Sequence, residues 1–499
     1  MSNSITHLVK NGIPSLNGIT ESFIKGQARV ADYVYAVRDV FLEAACMFVG
    51  DTFTMMNTML RDSAMRLEHW DVVRTDTKKI ITSIRATPYE KTLFKNKDTE
   101  ERKYLVDDLI GIEKYQRTTE DADAAMFSES VQTSYRKGGK AVSILDDISK
   151  NAVKEKIHSL VFPSEKEKKS PGRKRVVENL YIDADEDHIS LQFQKKKGDL
   201  EVSKSGRKLN GATMKLVYVY EGVEPEAPKS KRYRLINPHY FAGSYEGETG
   251  NNELFDELYA YMDNNYDLSK VKHIYVNSDC GGWIKAGIRR IHGCTQVLDE
   301  FHLNKCVLKM TRHVDTDGSH AARDLLLETI RRDTKEDFKS CVDMLLFHAG
   351  TNEKVWNRVS EGADYILNNW MAAKTRLVRR NAVCGSSTEG HVSHVLSSRM
   401  STLAMGWSRK GADKMARLRA YFWNGGNMLD LVRYQKQAKA LPKAAGAENT
   451  TISAAEMISS EHYKTPSWGK YVDRSQASLS AQMKKWMMIG IYDYVWRLR

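Results

Sequence analysis

Apolar residues between positions 24 and 70 recur at helical spacing with few breakers. Val30, Tyr33, Val34, Val37, Val40 and Phe41 carry the pattern, which predicts two long amphipathic helices. The period then shortens. Residues 79–84 and 89–94 flank Ala86-Thr87-Pro88 and predict a β-hairpin. From Asp121 the helical period returns, with one helix over 125–135, a break at Lys137-Gly138-Gly139-Lys140, and a short segment over 141–145. A third helix over 149–160 has Ser149 as its N-cap and Ala152, Val153, Ile157 and Leu160 on one face. Its other face carries Lys150, Asn151, Lys154 and His158, the arrangement of a helix-turn-helix whose last helix meets phosphates and base edges.

Residues 163–174 break the pattern with Pro171-Gly172 among Lys166, Lys168, Lys169, Arg173 and Lys174. They read as a flexible basic joint open to phosphate contact, and as the first domain boundary. Beyond it come strands over 176–182 and 188–193 around Asp185-Glu186-Asp187, and a third over 213–220. A helix over 251–262 and strands over 271–276 and 295–298 follow. Three consecutive strands and then alternating helix and strand is the order of a ribonuclease-H-like α/β core with a mixed sheet. Residues 321–377 are helical almost throughout, too long for a connection inside such a core, and read as an inserted helical subdomain. The domains expected are a helical region over 1–72, a hairpin with the helix-turn-helix over 73–162, and the linker over 163–175. The core takes 176–315 and 381–400, the insertion 316–380, and a basic, aromatic region 401–499.

Three acidic stretches fall at the ends of these elements. Asp183 and Asp185 follow the run ending in Ile182, Asp279 follows Val276-Asn277-Ser278, and Glu389 opens a helix that Ser386 or Ser387 would cap. A carboxylate just past a buried strand is costly without a partner, and a cation is the usual partner in an active site. Two strand carboxylates and a helix carboxylate make a hard-oxygen pocket of the kind that holds Mg²⁺ or Mn²⁺. Asp183, next to Ile182, is favoured as the first ligand, with Asp185 on the same side of an extended strand as its substitute. Asp299 and His302, three apart at a helix start, face one pocket. Lys305 is a candidate phosphate contact, and so is the cluster Arg376, Arg379 and Arg380. His391 and His394 beside Glu389 are the elements of an alternative iron or zinc site. Arg399 is a candidate for DNA or a carboxylate.

The formal charge of +12 adds a polyanionic partner to this picture. No run approaches 18 apolar residues, which excludes a membrane-spanning helix, and the N-terminus lacks a basic-then-apolar signal region. Six cysteines without a CxxC pair suit free thiols in a reducing compartment. Residues 401–425 interleave Trp407 and Trp423 with Arg409, Lys410, Lys414, Arg417 and Arg419, in keeping with stacking and phosphate pairing. Residues 438–455 read as an Ala-rich connector, and 482–499 as an apolar stripe.

The segments 179–185, 273–283, 297–305 and 384–400 together resemble the bacterial insertion-sequence transposases whose catalytic core is related to the Mutator group, over about residues 65–430. The resemblance implies a ribonuclease-H-like core with an Asp-Asp-Glu triad at Asp183, Asp279 and Glu389. It also implies an Asp-x-x-His motif at Asp299 and His302, and a helical insertion before the Glu. Two divalent ions, Mg²⁺ or Mn²⁺, would serve a DNA transposase that cuts element ends and transfers 3′-hydroxyl strands into target DNA. Double-stranded DNA is the implied partner, a homodimer or higher oligomer on DNA the implied assembly, and the bacterial cytoplasm at the nucleoid the implied location. An inactive DNA-binding relative, or a metal-dependent nuclease of the same fold, is the alternative. Glu186 departs from the pattern, standing where glycine is expected.

Overall fold

The computed structural model describes residues 2–168, 172–193, 201–202, 208–314, 316–380, 383, 388–403, 405–440, 454 and 457. The chain divides into two compact units. One comprises Met1–Met126, Lys140–Ile148 and Pro442–Arg499, the other Phe127–Gly139 and Ser149–Leu441. The apolar stripe over 482–499 and the greater part of the Ala-rich connector lie outside the described residues.

The second unit is built on a five-stranded mixed sheet. Its strands are β1 (Asn179–Ser190), β2 (Gly211–Tyr220), β3 (His239–Gly243), β4 (His273–Ser278) and β5 (Cys294–Leu298), in the order β3-β2-β1-β4-β5. β2 runs antiparallel to β1 and β3, whereas β4 lies parallel to both β1 and β5. The turn expected at Asp185-Glu186-Asp187 does not exist. β1 continues straight through it, and its pairing with β2 is unbroken from Tyr181↔Tyr220 to Ser190↔Gly211. A carboxylate run looks like a turn only when its strand partner is out of view, and β2 is that partner.

Period-2 alternation gives the sheet two unlike faces. Leu180, Ile182, Ala184, Val217, Val219 and Val276 face a core closed by Leu254, Phe255 and Leu258 of helix α1 (Gly247–Asn265). The odd positions of β1 lie on the other face. There Tyr181 stacks on Tyr220 and Tyr275, with ring centroids 5.4 Å and 5.8 Å apart.

Helix α2 (Glu300–Thr311) follows β5. The insertion consists of four helices: α3 (Thr316–Arg332), α4 (Lys335–Ala349), α5 (Glu353–Asn368) and α6 (Trp370–Val378). It is not a free satellite. Leu326, Phe338, Val359, Ile366 and Trp370 share one apolar cluster with Cys280, Leu298, Leu303 and Val307. The insertion is therefore packed around the ends of β4 and β5. Helix α7 (Thr388–Val392) comes next, then a π-helical turn (Ser393–Ser397) and α8 (Arg409–Trp423), and a last helix, Met428–Ala440, ends the unit.

In the other unit, one 33-residue helix, Val30–Asp62, takes the place of the two long helices expected over 24–70. The hairpin is present and longer than expected. Trp70–Ile81 pairs with Ala86–Asn96, and the chain reverses at residues 82–85 rather than at Pro88. Leu60, Trp70, Ile80, Tyr89 and Phe94 form its core. The break expected at residues 137–140 lies inside a helix, Tyr135–Ala141, whose buried Gly138 and Gly139 belong to the unit that holds the sheet. Residues 142–145 are not helical.

Candidate active site

A cavity of about 300 Å³ opens beyond the carboxyl ends of β4 and β5, lined by Asp185, Asp279, Asp299, His302, Glu389 and Phe301 among others. Asp185 reaches it from β1, two residues past Asp183 on the same side of the strand. Burial pushes its carboxyl up to about 7, against the hydrogen bond from the Glu186 amide and with help from the charges of Asp279 and Glu389. Asp279 ends β4 in a tight turn. Its Oδ1 accepts from the Gly281 amide at 2.8 Å, and its carbonyl accepts from the Tyr365 hydroxyl of α5 at 2.6 Å. Cys280 between them has φ of +64°, a left-handed conformation that costs a residue with a Cβ. Buried Asp299 is the N-cap of α2, with Oδ1 accepting from the amides of Phe301 and His302 at 2.9 Å and 3.2 Å. Glu389 stands exposed in the first turn of α7, and Ser386 and Ser387, its expected caps, lie outside the described residues.

Asp183 does not line this cavity. It is 0 % exposed, and its carboxylate accepts four side-chain hydrogen bonds. Tyr218 and Thr388 donate to Oδ2 at 2.8 Å and 3.0 Å, and Asn277 and Tyr220 donate to Oδ1 at 2.9 Å and 3.2 Å. Burial still raises its pKa, against these four donors. Asp183 is therefore a buried hub joining β1, β2, β4 and α7. Glu186, where glycine was expected, accepts from Trp283 Nε1 at 2.5 Å. Its side chain thus has a role within the unit.

The basic residues divide sharply. Arg376 is buried, its Nε donating to the Leu298 carbonyl at 2.9 Å and its Nη2 to Asn277 Oδ1, so it has no face to offer DNA. Arg379, Arg380 and Lys305 are exposed. Lys150, Asn151 and Lys154 are exposed on the helix Lys150–His158, which Ser149 caps. His158, four residues past Lys154, lies on the same side of the helix but is less exposed. Its half-buried ring lies so close to Gly411 that a Cβ there would meet Nε2 at 2.5 Å. Arg399 and Arg419 are also buried, and they serve backbone carbonyls: Arg399 that of Ser130, and Arg419 those of Val131, His394 and Val395. In the linker, Lys166 pairs with Asp256 at 3.3 Å, Lys168 with Glu165 at 2.6 Å and Lys174 with Asp263 at 3.4 Å. Lys166 and Lys174 are thus paired to α1, whereas Arg173 is exposed and Lys169 lies outside the described residues.

Asp185, Asp279, Asp299 and Glu389 give the cavity lining oxygen donors of the type a hard cation takes. Among the described residues no three His, Cys, Asp or Glu side chains are already gathered to hold a metal ion. The fit is therefore one of chemistry, without a preformed shell. His391 and His394 do not line the cavity. His391 Nδ1 meets the Tyr240 hydroxyl at 2.9 Å, and burial brings its pKa down to about 4. Among the described residues no helix is long and apolar enough to cross a membrane.

Sequence reasoning missed Asn277, Thr388, Tyr218, Tyr220, Tyr365 and Phe301. The alternation Tyr218-x-Tyr220 opposite Asp183 was the available signal for two of them. Nothing local marks Tyr365, which lies 86 positions from its partner.

The model of an uncharacterised protein family, UPF0236, matches residues 30–438. A UPF0236 protein of Caldanaerobacter subterraneus subsp. tengcongensis is 33% identical over 377 residues, covering 75% of this chain and 70% of its own. A second from that organism is 30% identical over 414 residues, covering 83% and 82%, and its name joins eleven locus designations. Such many-copy relatives are typical of mobile-element proteins. Among solved structures, the Drosophila P element transposase strand transfer complex aligns at 10% identity over 70% of this chain and 91% of that one. The TM-score is 0.22, too low to carry an argument.

Proposed function

The chain belongs to the UPF0236 family, and we propose that it is a divalent-metal-dependent DNA transposase that cuts element ends and joins their 3′-hydroxyls to target DNA. The observation that carries this reading is the convergence of Asp185, Asp279 and Glu389 on one cavity from three separate elements. The strand order β3-β2-β1-β4-β5, with β2 antiparallel, supports a ribonuclease-H-like core. The recurrence of a relative at many loci supports a mobile element.

Asp185 rather than Asp183 takes the first position of the triad in this reading, since all four donors around Asp183 come from the protein itself. Two Mg²⁺ or Mn²⁺ ions held by Asp185, Asp279 and Glu389 would polarise the scissile phosphate and favour both the attacking and the leaving oxygen. In the first reaction a water oxygen forms a bond to phosphorus while the P–O3′ bond breaks, leaving a free 3′-hydroxyl. In the second, that hydroxyl gives up its proton and bonds to a target phosphorus while the target's own P–O3′ bond breaks, and the departing 3′ oxygen takes up a proton to leave as a hydroxyl. Asp299 fixes the start of α2 and so holds His302 at the cavity, where its ring can meet a phosphate oxygen. Lys305, Arg379 and Arg380 offset backbone charge nearby, and Lys150, Asn151 and Lys154 form a separate exposed basic face for duplex DNA.

Nicking and 3′-end joining on duplexes spanning the ends of the host element, in Mg²⁺ or Mn²⁺, test the proposal. Activity is expected in the wild type and lost in Asp279→Asn and Asp185→Asn. Binding of those duplexes without cleavage in either metal would move the assignment to a DNA-binding relative.

A further inference from the structure

Helix α2 packs inward through Leu303, Val307 and Met310, all essentially buried. Its opposite face carries Phe301, Lys305, Leu308 and Arg312 at spacings of four, three and four, a single stripe along the helix. Phe301 is 58% exposed and heads this stripe at the lining of the acidic cavity. One turn further on, the Lys305 ammonium stands 5.4 Å from the centre of its ring.

Phe301 meets the His302 ring edge-on with centroids 5.5 Å apart, but α2 is already anchored by its inner face, and most of this aromatic is left exposed beside a carboxylate pocket. A flat ring at the edge of the cavity, followed by cations spaced along one helix face, matches a nucleotide leaving the duplex. The base finds a π-surface while the adjoining phosphates meet Lys305 and Arg312. Lys309 is not part of this stripe, being paired with Glu361 at 2.9 Å.

We infer that Phe301 is a nucleobase platform: a base beside the reacting phosphate leaves the stack and lies against this ring, with Lys305 on its phosphate. The inference rests on the transposase reading and adds to it a requirement for an unstacked base.

The full chain is titrated into two duplex oligonucleotides of the same sequence, one fully paired and one with a single unpaired 2-aminopurine. Affinity is read by anisotropy of a terminal dye and stacking by quenching of the 2-aminopurine. The wild type is expected to quench the unpaired base and to bind that duplex on the order of tenfold more tightly than Phe301→Ala does. Phe301→Trp should keep both effects, and the paired duplex should bind all three proteins alike. Thermal melting of each variant reports folding, which the exposed position should leave intact. Equal binding and quenching by wild type and Phe301→Ala would overturn the platform and leave the transposase reading standing. Failure of the wild type to bind either duplex would overturn both.

Discussion

The Thr388 hydroxyl donates a hydrogen bond to Asp183 Oδ2 at 3.0 Å, across 205 residues of chain. It ties the helix that presents Glu389 to the central strand that presents Asp185. Asp183 thus sets where two cavity carboxylates stand relative to one another without lining the cavity itself.

Breaking that tie should cost stability and function together. Thr388→Val removes one donor from a fully buried carboxylate, a loss of about 2 kcal/mol in urea unfolding. DNA nicking should fall with it, whereas Thr388→Ser should retain both. Wild-type unfolding by the valine variant would show that the bond contributes nothing.

Asp183 and Asp185 should separate by phenotype. Asp183→Asn turns an acceptor with four donors into a group carrying its own N–H donors, and about 2–3 kcal/mol of stability should be lost. Asp185→Asn should abolish metal-dependent nicking with no loss of stability, because it removes a carboxylate crowded by Asp279 and Glu389. The reverse pattern would restore Asp183 as the first ligand.

The insertion should matter to chemistry through single contacts. Tyr365→Phe deletes the hydroxyl that holds the Asp279 carbonyl beside a left-handed Cys280. Nicking should drop roughly tenfold at a cost of about 1 kcal/mol in stability. Arg376→Ala strands the Asn277 side chain and the Leu298 carbonyl in a buried site. It should be mainly a folding defect of about 3 kcal/mol, read by denaturant midpoint.

Exposed and buried cations should differ in salt dependence. Lys150→Ala and Lys154→Ala should each flatten the slope of log affinity against log salt by about 1 if the exposed face meets phosphates. An unchanged slope would remove that face from the DNA contact.

Acid should weaken the unit through His239, whose ring stacks on Tyr261 at 3.8 Å and approaches Glu165 at 3.4 Å. Burial lowers its pKa below the usual 6.5 in spite of Glu165. At pH below 6.5 the unfolded chain therefore binds the proton more readily, so this group's contribution is full above 6.5 and is lost as pH falls. The drop in urea midpoint between pH 7.5 and 5.5 should be smaller in His239→Asn than in wild type.

Hydrophobic period alone marked β2, β4, β5, α1 and the helical insertion, because each buries a face and writes that burial into local spacing. The same logic put Asp279 at a strand end and Glu389 at a helix start. Asp183 and Asp185 share a face of one strand, so period 2 cannot rank them. The ranking came from Tyr218, Asn277 and Thr388, which only the folded sheet and α7 bring to Asp183. Arg376 shows the same limit, since beside Arg379 and Arg380 it has the spelling of a basic patch. Its guanidinium instead satisfies the ends of β4 and β5, a partnership set by how the insertion packs. Local spacing thus determined which segments are helix or strand and where carboxylates end them. Long-range packing decided which charged groups are consumed inside the protein and which are left facing the cavity.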